Sequence, residues 1–197
     1  QAATALSNLA GDANYRETIA QAGAIEPLVA LLRSGSALAQ GPAAAALANL
    51  ASGNAANQAA IARAGAIEPL VALVRGGSTE AQEAAALGLG RLALRNADNQ
   101  AAIALAGAVE PLVTLMRLGS PLARRAAIAV LSHLTSSADT LAAFAQADNL
   151  EPLIACTRGN PVGAVEQEAG LEAARFLSAL AANSVEIKRA INRAGGV

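Results

Sequence analysis

The amino-acid sequence predicts an all-α protein built as a solenoid, in which similar units of three helices are stacked one after another. Three observations carry this prediction: a repeat of 42 residues, helix-type spacing of apolar residues inside each repeat, and no alternating strand pattern. Bulky aromatic residues are scarce, with 2 Phe, 1 Tyr and no Trp in 197 residues. Because 55 residues are alanine, we expect close-packed layers of small side chains.

A short motif marks the repeat and places a proline at the same position each time. Gly-Ala-Ile-Glu-Pro-Leu-Val or a close variant occurs at 23–29, 65–71 and 107–113, and a divergent copy occurs at 148–154. Residues 23–64 and 65–106 are identical at 28 of 42 aligned positions, which chance cannot explain. This period excludes ankyrin and tetratricopeptide arrays, whose repeats have about 33 and 34 residues.

The second unit shows how the first two helices of each repeat are predicted. A short helix over 57–64 ends before Gly65, a residue that readily adopts the left-handed conformation closing a helix. Pro69 then lies in the first turn of the next helix, where its missing N–H costs nothing. The apolar residues of this helix have the spacing of one buried face: Leu70, Val71, Leu73 and Val74.

The third helix of the unit is longer and rich in alanine and leucine. Gly76 and Gly77 break the preceding helix, and Ser78 or Thr79 provides an N-cap for a helix that continues to Leu94. Each unit is therefore predicted to contain a short, a medium and a long helix.

These patterns make residues 1–197 a single solenoid. We divide it into a partial unit at 1–10, full units at 11–52, 53–95, 96–137 and 138–183, and a partial unit at 184–197. The fourth unit is about five residues longer, and we assign the extra residues to the turn at 159–163, since surface turns tolerate insertions.

The end units of a solenoid normally need polar caps. Leu6, Leu9, Ile187 and Ile191 lie in the incomplete units and are expected to be partly uncovered. We therefore expect the natural polypeptide to continue past both ends, or these pieces to stack end to end.

Two stretches of sequence carry a family resemblance. They are Asn57-Gln58-x-x-Ile61-x-x-Ala64-Gly65-Ala66-Ile67-x-Pro69-Leu70-Val71-x-Leu73 and, at the end of a long helix, Ala46-Leu47-Ala48-Asn49-Leu50-Ala51. They resemble armadillo repeats, and the match covers essentially the whole chain. HEAT repeats are the alternative architecture, but they lack the Gly-x-x-x-Pro joint and the short first helix. The resemblance implies a right-handed α–α superhelix of armadillo repeats, in which third helices line a concave groove.

Composition and motifs argue against several classes of function. The formal net charge of −1 gives no basic excess for binding nucleic acid or an anionic membrane. The uncharged stretch at 34–62 contains too many polar residues for a membrane span. With a single Cys, an intramolecular disulfide is impossible, which suits a reducing compartment. We expect the protein in the cytoplasm, the nucleus or both.

No catalytic, cofactor or metal site is predicted, so we do not expect an enzyme. His133 is the single histidine, and metal-ligand spacings are absent. Cys156 aligns with core leucines of the other units and is expected to be a buried, inert thiol. The stretch Gly88-Leu89-Gly90-Arg91-Leu92-Ala93 matches a dinucleotide fingerprint, but it lies inside a predicted helix rather than after a strand. Its two glycines should loosen that helix unless another helix approaches closely.

The resemblance also indicates where a ligand would be bound. In armadillo proteins a recurrent Asn near the end of each third helix holds the backbone of an extended peptide, and a Trp one turn earlier forms slots for its side chains. The Asn position is occupied here by Asn8, Asn49, Arg91, His133 and Ala179. The Trp position is occupied by Thr4, Ala45, Leu87, Ala129 and Arg175. Without the aromatic array, capture of basic nuclear-localisation peptides in the manner of importin-alpha is disfavoured.

We interpret five residues as one peptide-contacting stripe: Asn8, Asn49, Arg91, His133 and Arg175. Amides would anchor the ligand backbone, and acidic or phosphorylated side chains would meet Arg91 and Arg175. Each residue also has an ordinary explanation, namely solvation at a helix end or, for Arg175, an ion pair with Glu172 or Glu168.

The predicted function is therefore non-catalytic recognition of a protein or extended peptide, as part of a larger scaffold or adaptor. The alternative is a structural spacer in a large assembly that contacts its partners by the convex face or the ends.

Overall fold

The computed structural model of the chain describes residues 1–145, 147–158 and 164–194. Helices account for most of these residues, and the described part contains no β-strand. The first helices of the units are α2 (Ala13–Gln21), α5 (Ala55–Arg63), α8 (Ala97–Leu105), α11 (Ala138–Ala145) and α14 (Val185–Arg193). The second helices are α3 (Ile25–Ser34), α6 (Ile67–Gly76), α9 (Val109–Leu118) and α12 (Ala147–Arg158). The third helices are α1 (Ala2–Gly11), α4 (Ala37–Ala51), α7 (Thr79–Ala93), α10 (Pro121–His133) and α13 (Ala164–Asn183). The prediction of an all-α solenoid is confirmed.

Local sequence signals set the helix ends in the second unit. The side chain of Asn54 accepts a hydrogen bond from the backbone N–H of Asn57 at 3.0 Å, which caps the start of α5. Gly65 follows that helix with a φ of 77°, the left-handed conformation that glycine adopts without steric cost. Ser78 accepts a hydrogen bond from the N–H of Ala81 at 3.3 Å and so caps α7. The predicted joint and cap are both present.

The third helices stack on one another along the whole described part of the solenoid. Helices α1, α4, α7, α10 and α13 succeed one another, each packed against the next. Their contact layers are made of small residues such as Ala43, Ala44, Ala85 and Ala127, all fully buried. Small side chains allow helix axes to approach closely, so the shortage of aromatic residues is compensated by tight packing.

Buried asparagines tie the first helix of two units to the third helix before it. Asn57 donates from Nδ2 to the carbonyl of Leu50 at 3.0 Å, and Asn99 donates to the carbonyl of Leu92 at 2.9 Å. Both asparagines are about 95% buried, and both bonds satisfy carbonyls at the ends of third helices. We call this repeated bond the asparagine ladder.

Two sequence expectations need correction. Leu6 and Leu9 are partly uncovered as expected, but Ile187 and Ile191 are buried, because they face back onto α11, α12 and α13. Cys156 is half-buried rather than buried, although it packs against the core.

The glycines of α7 do not mark an unusually close helix approach. A Cβ added to Gly88 would lie 3.6 Å from Leu70 Cδ1, and one added to Gly90 would lie 3.5 Å from Val130 Cγ2. These are ordinary van der Waals distances, so alanine would fit at either position.

Among the described residues, no single helix is long and apolar enough to span a bilayer. Helices α8 and α9 would reach that length only together, and they meet at an angle of 85°. The turn at 159–163, where we predict the extra residues of the fourth unit, lies outside the described residues.

Candidate functional site

The third helices present four of the five predicted stripe residues near their C-terminal ends and the fifth within α13. Asn8 lies near the end of α1, Asn49 near the end of α4, Arg91 near the end of α7, His133 at the end of α10, and Arg175 in the second half of α13. Because these helices stack in order, the residues follow one another along the same series of helices.

A depression of about 230 Å³ crosses this surface and connects α7 with α10. Its lining comprises Ser52, Gly53, Ala86, Leu87, Gly90, Arg91, Leu94, Ala126, Ala129 and His133. The structure therefore brings Arg91 and His133 together at one concavity, with the side chains of Leu87 and Ala129 in its wall. Asn8, Asn49 and Arg175 do not line it.

Contacts from its own unit and from the preceding unit fix the position of Arg91. Its backbone carbonyl accepts a hydrogen bond from Gln58 Nε2 at 2.8 Å. Its guanidinium Nη1 donates to the hydroxyl of Ser52, just after α4. Burial lowers the pKa of Arg91, and the nearby Arg16 guanidinium lowers it further. Arg91 thus holds a charge in a partly desolvated place beside a second cation.

Arg16 is a component of the site that the sequence analysis did not identify. From α2 it donates from Nε to the carbonyl of Ala10 and from Nη2 to that of Gly11, both at 3.0 Å. Its Nη1 reaches across to the carbonyl of Ser52 at 2.7 Å. Arg16 occupies the place that Gln58 holds one unit later, and this substitution of a charged for a neutral residue is the signal that could have revealed it.

Asn49 is engaged inside the stack. Its Nδ2 donates to the backbone carbonyl of Ser7 at 2.9 Å and lies 3.5 Å from the Ser7 hydroxyl, so the amide links α4 to α1. Asn8 is exposed on α1. The two residues occupy equivalent sequence positions but have different surroundings, because α1 has no described third helix before it to contact.

His133 and Arg175 lie next to a carboxylate on α13. Arg175, whose side chain is 66% exposed, forms an ion pair with Glu172 at 3.4 Å, the alternative that its spacing indicated. His133 is half-buried. Burial lowers its pKa, whereas the negative charge of Glu172 raises it by a smaller amount. His133 is therefore mostly neutral at neutral pH.

The arrangement offers hydrogen-bond donors and apolar walls, which suits non-covalent recognition. Among the described residues, no carboxylate pairs with Arg91, and no group of three or more His, Cys, Asp and Glu residues could hold a metal ion. The stripe is neutral at α4, cationic at α7 and charge-paired at α13.

The match to a known protein family falls on the first two full repeat units. The model of the armadillo/beta-catenin-like repeat matches residues 12–52 and 54–94. No curated protein sequence matches the chain.

Several solved structures share the fold over nearly the whole chain. An engineered protein is 34% identical, with a TM-score of 0.84, over 99% of this chain and 78% of its own. A computationally designed armadillo repeat protein for modular peptide recognition is 28% identical, with a TM-score of 0.85, over 100% of this chain and 81% of its own. A designed armadillo repeat protein in complex with the peptide (KR)4 is 28% identical, with a TM-score of 0.81, over 98% of this chain and 80% of its own.

Proposed function

Because the chain belongs to the armadillo repeat family, we propose that it binds an extended peptide or partner segment along the surface of its third helices. The fold, together with a similar designed protein that binds a peptide, supports a protein-interaction module. In this proposal the module is a non-catalytic part of a scaffold or adaptor, and the stacked third helices supply a binding surface longer than a single helix could.

The depression shared by Arg91 and His133 is the observation that carries the proposal. It combines apolar walls from Leu87 and Ala129 with donors at its rim, the combination that peptide-binding sites use for side-chain recognition. An extended chain crossing α7 and α10 would place one side chain in this depression.

The charge of the surface indicates the preferred ligand. The similar designed protein binds (KR)4, a basic peptide. Here Arg91 has no described acidic partner, and Arg16 adds a second cation nearby. A basic peptide would be repelled at this place, so we propose that the ligand carries an acidic or phosphorylated side chain.

Binding of three synthetic peptides of eight residues, measured by fluorescence anisotropy, tests this proposal. The peptides alternate alanine with glutamate, with serine or with lysine. We expect the glutamate peptide to bind best. Replacing Asn49 by alanine should weaken binding of the glutamate and serine peptides about fivefold, because Asn49 Oδ1, which accepts no described hydrogen bond while Nδ2 is bonded to Ser7, would accept about one from the ligand backbone. Equal affinity of wild type and N49A would contradict the role of the Asn49 amide.

A charge reversal separates a local effect from a change in net charge. R91E should strongly weaken binding of the glutamate peptide and leave binding of the serine peptide nearly unchanged. R117E changes the net charge equally at an exposed residue of α9, on a second helix, and should have little effect. If R91E and R117E weakened binding equally, the third-helix surface would not be the binding surface.

A further inference from the structure

Two arginines from different units converge on one serine at the edge of the depression. Arg16 Nη1 donates to the backbone carbonyl of Ser52 at 2.7 Å, and Arg91 Nη1 donates to its hydroxyl. Arg16 is held by two further carbonyls at the end of α1, and the Arg91 backbone is held by Gln58. Both cations are therefore kept in place by contacts that involve no carboxylate.

Arg16 and Arg91 differ from Arg175, the other arginine of the stripe, in having no carboxylate partner among the described residues. Arg175 is exposed and paired with Glu172 at 3.4 Å. Arg91 is half-buried, and no described carboxylate forms an ion pair with it. Two cations with reduced access to water, and without a described counter-charge, create a local positive potential that an anion would relieve.

The donors of Arg91 suit a particular kind of anion. A guanidinium has five N–H donors in a planar fork, and a single described acceptor, the Ser52 hydroxyl, takes one of them. Phosphate monoesters present three strong acceptor oxygens and carry nearly two negative charges at neutral pH. They match a fork next to a second cation better than a carboxylate does, because a carboxylate has one charge and two oxygens.

The walls of the depression indicate how the anion would be delivered. Leu87, Leu94 and Ala129 give it an apolar lining, and its volume of about 230 Å³ leaves room for one phosphorylated side chain. A free inorganic ion would gain nothing from these walls, whereas the methylene group of a phosphorylated serine would pack against them.

We infer that the Arg16–Ser52–Arg91 cluster is a phosphate subsite, which takes a phosphorylated serine or threonine of the bound peptide in preference to a carboxylate. This inference rests on the proposed function, since the phosphate arrives as part of a peptide lying on the third helices. It also distinguishes between the two arginines of the stripe: Arg91 recognises the anion and Arg175 does not.

Three eight-residue peptides test the inference: an alanine–serine sequence whose fifth residue is serine, glutamate or phosphoserine. Their affinities are measured by fluorescence anisotropy at fixed salt. We expect the phosphoserine peptide to bind about tenfold more tightly than the glutamate peptide, since its phosphate offers the guanidinium one more oxygen and nearly one more negative charge. R91Q should abolish this preference. R175Q, the matched control, should keep it.

The outcomes separate this inference from the proposed function. If all three peptides bound equally well to the wild type, or if R175Q lost the preference as R91Q did, the phosphate subsite would be wrong while peptide binding stood. If no peptide bound, peptide recognition would be wrong. Phenyl phosphate would then be titrated while the Arg91 Nε–H signal is followed by NMR, and a signal that does not move would overturn the subsite as well. Circular dichroism melting of each variant verifies that it is folded, and R91K replaces R91Q if it is not.

Discussion

The second and third full units, over residues 53–95 and 96–137, fill equivalent core positions with different side chains from those of the fourth unit. Ile61 and Ile103 anchor the first helices of two units, and Phe144 takes this position in the fourth. On the facing third helices, Gly88 corresponds to Phe176. Phe144 and Phe176 contact each other edge to face, with ring centroids 4.9 Å apart. The comparison shows that a fixed helix order accommodates either small, close layers or a large aromatic pair.

The aromatic pair gives the largest expected effect. Both phenylalanines are fully buried, so F144A should lower the free energy of unfolding by about 3–5 kcal/mol, through lost burial and a cavity. F144I, which restores the residue type of Ile61 and Ile103, should cost much less. Urea unfolding followed by circular dichroism measures the change. L38A alters an exposed leucine and serves as the control. A cost of F144A below about 1 kcal/mol would show that the fourth unit does not depend on this pair.

The asparagine ladder gives the second comparison. Thr140 takes the place of Asn57 and Asn99 in the fourth unit, and its buried Oγ1 has no hydrogen-bond partner among the described residues. N99T should therefore destabilise the chain by about 1–3 kcal/mol, by leaving the carbonyl of Leu92 without its partner. T140N should stabilise it by about 1 kcal/mol, because the new amide would donate to the end of α10 as the Asn99 amide does to that of α7.

Thermal and urea unfolding of both ladder variants measure these changes. A loss of stability in T140N would mean that the carbonyl at the end of α10, which stops at His133, lies out of reach of residue 140.

A residue with positive φ gives a smaller effect. Arg95 has a φ of 56°, whereas the equivalent residue one unit earlier is Gly53, with a φ of 67°. Non-glycine residues pay about 1–2 kcal/mol for this conformation, so R95G should stabilise the chain by about 1 kcal/mol. G53R is the reverse exchange and should destabilise it by a similar amount. If both exchanges left the melting temperature unchanged, backbone strain at Arg95 would be negligible.

A methyl group added inside α7 should have a comparable or smaller effect. The Cβ of alanine at Gly88 would make ordinary contacts with Leu70, and alanine favours helix over glycine by about 0.5–1 kcal/mol. We expect G88A to raise the unfolding free energy by this amount. G88F, which introduces the residue type of Phe176 into the close alanine layers, should destabilise the chain instead. Stabilisation by both would contradict the picture of tightly packed layers.

The pH dependence of His133 should be the smallest effect. The pKa of His133 in the folded chain lies below the ordinary value of 6.5. Between these two pKa values the unfolded chain therefore binds more protons than the folded chain. Its contribution to stability is therefore complete above pH 6.5 and is lost as the pH falls through that range. Urea unfolding between pH 7.5 and 5.5 measures the slope, and H133Q should reduce it. An identical slope in H133Q would assign the pH dependence to other groups.

Much of this architecture could be predicted from sequence because its signals are local. The period, the glycine at each joint, the proline in the first turn and the serine cap depend on backbone conformation within a few residues. The candidate surface was predicted less completely. Arg91 and His133 line one depression, but Arg16 was missed, because it enters from another helix of the preceding unit. Likewise, the buried state of Ile187 and Ile191 depends on which helices they face.

The sequence by itself determined that the chain repeats, where most helices begin and end, and which residues occupy equivalent places in each unit. Only the tertiary structure decided which of those equivalent residues are engaged. Asn49 is bonded to the Ser7 carbonyl, Arg175 is neutralised by Glu172, and Arg91 keeps its charge beside Arg16. The physical reason is range: helix signals act over a few residues of chain, whereas charge, burial and hydrogen-bond partners depend on groups that only stacking brings together.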